Sequence, residues 1–439
     1  MSLFKLYLAV FLTKFGDRCF DMVVPLALAD FFPQNLSGAA MIAAFEAFFC
    51  MVGFPYVGSF ISRQKSRIKS VVFFVGMQSL AVLMSFICLF VLSSFTISAA
   101  LIWMVLVLIS ISEALSTLTS KGADISVIRD WLPLIVTSDD LTVANSAMAR
   151  IDLGTKIFSP ILVSLLFLVG SDFAIYSVAA LNIISFIPEV ILLASLHRTH
   201  KEKLCVETSK PKEYQNRLSQ LLSDLKLSVR HPLWPVLLAH SLLYATVLSP
   251  QGILMTSFLA TQGIQPVVLS GVRVLNAIFG ISCTFWFKKL VQKPNFGLKK
   301  TGLLFNSWQV CLTTMAFVAL IYSLFNSEWS YYLLVGFISL IVVGRFGLYG
   351  FSLVEVQIVQ KFASVTDRPI LSGVEQSLSQ FVAFLVFVVS IVVSDPSFFF
   401  IPVIVSLLAL YTCWLVYFLW FRRHEGDQKD EECFKESTV

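Results

Sequence analysis

The sequence predicts an all-α membrane protein of about twelve transmembrane helices in two six-helix halves. Three observations predict it. Of its 439 residues, 57% are hydrophobic and only 13% are charged, with mean hydropathy +0.82; a soluble domain carries about a quarter charged residues. The apolar residues gather into stretches of roughly 20 or more, the length a helix needs to cross the hydrocarbon. Basic loops also recur at matching places in the two halves.

The expected spans are 7–33, 38–62, 70–96, 98–125, 140–169, 173–196, 233–262, 267–288, 301–325, 331–360, 369–394 and 397–420. The first carries Lys14, Asp17, Arg18 and Asp21. A mid-bilayer charge costs several kcal/mol, so such residues face protein or a water-filled path. Asp17 and Asp21 are one turn apart on one face, a potential cation site. The third span contains Gln78, and the fourth closes in a Ser/Thr-rich stretch. The fifth holds Asp152 and Lys156 at i,i+4, which reads equally as a mutually neutralising structural pair. In the sixth, Asn182 and Glu189 lie two turns apart with Pro188 freeing a carbonyl nearby. That oxygen-rich group suits a hard cation, and equally a helix–helix hydrogen bond. Pro250 and Gly252 are expected to break the seventh span near its middle, where unwound backbone would line a cavity. His240, just before that break, reads as a metal ligand, a proton carrier or a helix–helix hydrogen-bonding group. Glu46, Glu113, Arg273, Arg345, Glu355 and Glu375 also fall within spans. Arg345, Arg368 and Glu375 near the span ends read either as gating ion pairs or as side chains reaching the interface.

Loop charge sets the orientation. Arg63, Lys65, Arg67 and Lys69 follow span 2; Lys288, Lys289, Lys293, Lys299 and Lys300 follow span 8; the long loop 197–232 is also basic. The opposite loops nearly lack Lys and Arg, so the basic loops and both termini are expected in the cytosol. Asn35 then heads an outward-facing glycosylation sequon. The expected organisation is an N-terminal half at 1–196, a cytosolic loop at 197–232, a C-terminal half at 233–420 and a tail at 421–439. This is the layout of the major facilitator architecture, and Gly58 to Arg67 looks like a degenerate form of its loop 2–3 motif. The eight Cys are scattered without a CxxC and imply no disulfide framework. There is no phosphate loop, HExxH or nucleophile elbow, so no enzyme activity or resident cofactor is expected. The net charge of +5 lies in loops and speaks for topology rather than nucleic-acid binding.

Five segments in order resemble the ferroportin family of metal exporters: Phe15-Gly16-Asp17-Arg18, Arg129-Asp130-Trp131, Ala144-Asn145 through Arg150-Ile151-Asp152 with Ser159-Pro160, Gly344-Arg345 to Leu348, and Ser372-Gly373-Val374-Glu375-Gln376-Ser377. The resemblance covers nearly the whole chain. It implies export of a divalent transition metal, Fe2+ first among Mn2+, Co2+ and Zn2+, by alternating access. It makes Asp17 a metal ligand, with Asp21 where vertebrate members have His. It implies an activating Ca2+ site of Asp17, Gln78, Asn182 and Glu189. Arg129, Asp130, Asn145, Arg150, Asp152 and Arg368 are the expected cytosolic gate. Gly252 and Val386 replace the family's second-site Cys and His, so that site is expected to be absent unless His240 substitutes. The same Cys anchors the hormone hepcidin in vertebrates, so hepcidin control is not expected here. The short NSEWS loop between spans 9 and 10 marks a compact member. A monomer in the plasma membrane is expected, with the lipid bilayer and divalent ions as its partners.

Two further readings compete. A proton-coupled organic-solute transporter of the same fold would use Asp17 and Glu113 as proton carriers. A non-transporting receptor or scaffold would use the tail, whose Ser437-Thr438-Val439 resembles a segment captured by strand addition.

Overall fold

The computed structural model describes residues 2–31, 36–95, 98–138, 140–205, 217–249, 266–294, 296–325, 330–392 and 398–424, with 255, 258, 259, 262 and 264. The described residues are helices joined by short turns, without a β-strand. In chain order they are α1 (Ser2–Phe31), α2 (Leu36–Ser62), α3 (Ile68–Ser94), α4 (Ala99–Asp124), α5 (Leu141–Val169), α6 (Ser171–Thr199), α7 (Arg217–Arg230), α8 (Trp234–Leu242), α9 (Pro266–Val291), α10 (Gly297–Phe325), α11 (Ser330–Phe362), α12 (Asp367–Val392) and α13 (Phe400–Arg423). Ten helices among the described residues are long and apolar enough to span a membrane. α1, with 30 residues, has the length, but Lys5, Lys14, Asp17, Arg18, Asp21 and Asp30 depress its hydropathy. The fold is an all-α membrane fold, as the composition requires.

Three local features differ from the sequence expectation. The fourth span does not stop near 125. It runs on through a π-helical segment, Ile125–Trp131, into Leu132–Ile135. There the Leu132 N–H reaches the Val127 carbonyl, the i→i−5 bond of a π-turn. Pro133, just beyond, has no N–H to continue the α-helical ladder. The seventh stretch stops being helical at Leu242, well before Pro250. Tight turns follow, with Leu243, Tyr244 and Ala245 N–H groups bonding the carbonyls of His240, Ser241 and Leu242. Pro250 and Gly252 themselves lie outside the described residues, as do Asn35 and the C-terminal tail. The long loop contains a further helix, α7. The described cysteines are all free.

Contacts divide the chain into two compact units. The first is Met1–Thr137, Ile151–Leu225 and Val365–Ser377; the second is Ser138–Arg150, Lys226–Ser364 and Leu378–Val439. Two segments thus sit apart from the expected halves, and their bonds explain why. In the first unit, Ser62 Oγ donates to the Thr366 carbonyl (2.9 Å) and Ser377 Oγ to the Met51 carbonyl (2.6 Å). Gly58 allows the close approach of the Pro369 and Gly373 backbone; a Cβ on Gly373 would lie 2.6 Å from the Phe54 carbonyl oxygen. In the second unit, Gln357 Nε2 donates to Thr142 Oγ1 (2.7 Å), and Asn145 and Gln360 exchange two amide hydrogen bonds (2.6 and 3.2 Å).

Each unit has an apolar core. Phe20, Val23, Val24, Phe86, Leu89, Ile109 and Val178 pack in the first. Phe258, Leu259, Phe337, Ile341, Val386 and Val403 pack in the second. The first unit also buries an ion pair, Arg67 Nε to Asp130 Oδ2 at 3.1 Å, with both side chains fully buried. Its geometry is too bent for a hydrogen bond, so the attraction is Coulombic. Arg67 also donates to the Ile61 carbonyl at 2.6 Å, which splints the α2–α3 turn.

Removing one partner of such a pair leaves a buried charge uncompensated, at about 3–5 kcal/mol. Asp130→Leu alone is therefore expected to lower the melting temperature sharply. Arg67→Met with Asp130→Leu should recover much of the loss, as read by thermal melts in detergent.

Candidate functional site

α1 carries the site because it packs tightly on α6. Gly16 permits this: a Cβ there would stand 2.8 Å from Asn182 Oδ1. Asn182 donates its Nδ2 to the Val178 carbonyl one turn back (3.0 Å), which leaves Oδ1 as a free-facing acceptor toward α1.

Asp17, Gln78, Asn182 and Glu189 line one narrow cavity of about 20 Å3, together with Thr13 and Ser185. Asp17 is its hub. Gln78 Nε2 donates to Asp17 Oδ1, and Ser120 Oγ donates to Asp17 Oδ2 at 2.6 Å. Thr13 Oγ1 donates to Glu189 Oε1 at 2.5 Å. α3 and α4 thus hold Asp17 and α1 holds Glu189, and neither carboxylate has a cationic hydrogen-bond donor among the described residues. The donor set is two carboxylates and two amide oxygens, with hydroxyls around them. Such a set offers hard oxygen ligands and no sulfur or imidazole. As it stands, Gln78 presents its NH2 to Asp17, occupying with hydrogen atoms the place a cation would take. A half-turn of the amide presents its oxygen instead.

Asp21 is placed differently. Arg18 Nη1 pairs with Asp21 Oδ2 at 3.0 Å, and Arg18 Nη2 with Asp152 Oδ1 at 3.1 Å. Lys156 Nζ holds the other oxygen of Asp152 at 2.7 Å. Asp21, its side chain 48% exposed, faces open space and is not among the lining of the Asp17 cavity. Lys14 Nζ meets Asp124 Oδ2 at 2.5 Å, and Lys121 approaches the same oxygen at 4.0 Å. Lys14, Arg18 and Asp21 of α1 thus enter two separate groups of ion pairs beside the cavity.

The expected gate residues divide among separate contacts. Neighbouring side chains of the π-helical segment take different partners: Asp130 meets Arg67, while Arg129 Nη2 meets Glu375 Oε2 at 3.3 Å and Nη1 meets Ser372 Oγ at 3.4 Å. Asn145 pairs with Gln360. Arg150 stacks over the Phe285 ring at 4.9 Å, and Asp152 joins the α1 ion pairs. Arg368 lies in the α12 segment of the first unit. Of the expected second-site residues, His240 is buried in the second unit. Its Nδ1 lies 3.9 Å from Glu355 Oε2 and its Nε2 3.2 Å from Ser352 Oγ.

Ser120, Thr13, Arg67 and Gln360 escaped the sequence reading as site residues. Only the Ser/Thr-rich end of the fourth span signalled any of them.

The all-α fold is that of membrane transporters of the major facilitator type. A solved major facilitator transporter, FucP, in its outward conformation, matches with TM-score 0.65 over 95% of this chain and 98% of its own, at 11% identity. The family model Ferroportin1 matches residues 1–410, and the chain belongs to the ferroportin family. Ferreportin of Bdellovibrio bacteriovorus is 28% identical over 430 residues, 95% of this chain and 94% of that protein. A crystal structure of a bacterial homologue of the iron transporter ferroportin, in an outward-facing state, matches with TM-score 0.84 at 26% identity, over 96% of this chain and 99% of that one.

The Gly16–Asn182 contact yields a direct test. Gly16→Ala forces the Asn182 amide aside, and overpacking of this kind costs about 1–3 kcal/mol. A lower melting temperature is expected, recovered in part by Gly16→Ala with Asn182→Ala.

Proposed function

We propose that this protein exports a divalent transition metal, Fe2+ foremost, by alternating access, and that Ca2+ activates it. The observation that carries the reading is the single cavity shared by Asp17, Gln78, Asn182 and Glu189. Four oxygen donors from three helices converge in the otherwise apolar medium of a membrane, where an all-oxygen group is costly unless it serves an ion. Family membership supports the same reading, because the bacterial homologue's structure is described as that of a relative of an iron transporter.

In this proposal Ca2+ binds the cavity set. Gln78 turns its amide oxygen inward, and the ion replaces the NH2 as the partner of Asp17. Asp17 and Asp21 bind the transported metal. Two carboxylates accept Fe2+, Mn2+ or Co2+ and discriminate among them weakly. Arg18 releases Asp21 when metal arrives, and keeps Asp152 and Lys156 as its remaining neighbours. Because Asp17 belongs to both sets, the two ions are linked, and each changes the affinity for the other by the same factor. Carboxylates must be deprotonated to bind metal, so acidification opposes loading. The contacts of Arg129, Asp130, Asn145 and Arg368 form the cytosolic gate, and the protein works in the plasma membrane with both termini in the cytosol.

Co2+ or Fe2+ uptake into proteoliposomes carrying the purified protein tests the transport reading. Asp17→Ala is expected to abolish uptake, and Asp21→Ala to reduce it about tenfold or more, the loss of one charged ligand interaction. A folded protein that moves no metal under any gradient overturns the proposal in favour of an organic solute. For the Ca2+ site, Gln78→Leu and Glu189→Gln should remove the stimulation by Ca2+ while leaving basal uptake measurable. Equal stimulation in these variants and the native protein would separate Ca2+ action from this cavity.

A further inference from the structure

The second unit contains a buried cation whose surroundings lack a counter-charge. Arg345 on α11 is only 9% exposed. Its one hydrogen-bond partner among the described residues is the Leu248 carbonyl, which accepts from Nη2 at 2.6 Å. One carbonyl satisfies one of the five N–H donors of a guanidinium. No carboxylate is available nearby. The stretch 243–265, α9, α10 and α13 contain no Asp or Glu. The nearest acid along α11 is Glu355, which at 1.5 Å per residue stands about 15 Å away along the axis and is paired with His240. A membrane-buried cation left in this state costs several kcal/mol.

Beside the guanidinium lies a small cavity of about 20 Å3, lined by Thr246, Leu248, Gln309, Thr313, Arg345 and Ser406 among others. Its polar groups are donors or can become so. Gln309 is 8% exposed, and its amide oxygen has no hydrogen-bond partner; a half-turn of the amide presents the NH2 to the cavity. Thr313, also 8% exposed, adds a hydroxyl. The backbone acceptor at Leu248 is already taken by Arg345, while the Val247 N–H is held by Ser406 Oγ at 3.0 Å and the Leu248 N–H by Thr246 Oγ1 at 3.1 Å. A cation in this space would be repelled by Arg345 at close range in a medium of low dielectric. A small anion would neutralise it and accept from the guanidinium, the Gln309 amide and the Thr313 hydroxyl.

We propose that this cavity is a binding site for a small monovalent anion of chloride size, held by Arg345, Gln309 and Thr313 at the end of the broken helix α8. The ion ties α11 and α10 to the unwound stretch after Leu242, and its occupancy sets how firmly that stretch is held. The volume, about one water-sized sphere, suits chloride or bromide better than sulfate or a carboxylate.

The test uses the full-length protein in nanodiscs without added metal, so its outcome is independent of the transport reading. Chloride replaces gluconate at constant sodium and ionic strength while the melting temperature is followed. A saturable rise of at least about 2 °C is expected for chloride and bromide, and none for sulfate or citrate. Arg345→Gln should abolish the response. Should that variant not fold, Gln309→Leu with Thr313→Val should weaken the apparent halide affinity tenfold or more with Arg345 retained. Anomalous scattering from bromide-soaked crystals should place the ion within hydrogen-bonding distance of Arg345. A melting temperature indifferent to the halide exchange, or a halide response that persists in both variants, would mean that water alone fills the cavity and would overturn the proposal.

Discussion

The constraint on which this structure depends is the cost of holding charge away from water. An apolar span can ignore its neighbours; a span with four ionisable residues in eight positions cannot. α1 meets the constraint by surrounding itself with partners. Lys14 is matched by Asp124, Arg18 by Asp21 and Asp152, and Asp17 by Gln78 and Ser120. Apart from the Arg18–Asp21 pair, which lies within α1, each of these requires α1 to lie at a fixed rotation and depth against α3, α4 and α5. The close approach at Gly16 is part of the same arrangement, because a wider α1–α6 spacing would carry Asp17 away from the cavity it shares with Asn182 and Glu189.

The two units meet the constraint differently. The first gathers cations and carboxylates into ion pairs. The second, leaving aside the α12 segment that belongs to the first, has Glu355 as the sole carboxylate within its long helices. Its polar side chains are mostly amides and hydroxyls, as in the Asn145–Gln360 and Gln357–Thr142 contacts. Such groups satisfy backbone exposed by a helix break without importing charge: Ser406 serves the Val247 N–H. Arg345 is the exception, a full charge set against a single carbonyl.

Much of this was legible in the sequence because hydropathy and loop charge are long, additive signals. The spans, the basic loops and the charged first helix follow directly from them. That Asp17, Gln78, Asn182 and Glu189 belong together came from the family resemblance, since one amide in one span says nothing about what it faces. The contribution of Ser120 was hidden for a specific reason. Hydroxyls in membrane helices usually bond their own backbone, as neighbouring Thr119 does to the Leu115 carbonyl at 2.7 Å. Nothing local distinguishes Ser120 from Thr119; only the face each occupies decides which reaches Asp17. The π-turn at Ile125–Trp131 was equally hidden, because one extra residue per turn leaves no mark in composition. What the segment does is carry the fourth span past 125 to Ile135, so that Arg129 and Asp130 stand on helix and each reaches its own buried partner, Glu375 and Arg67.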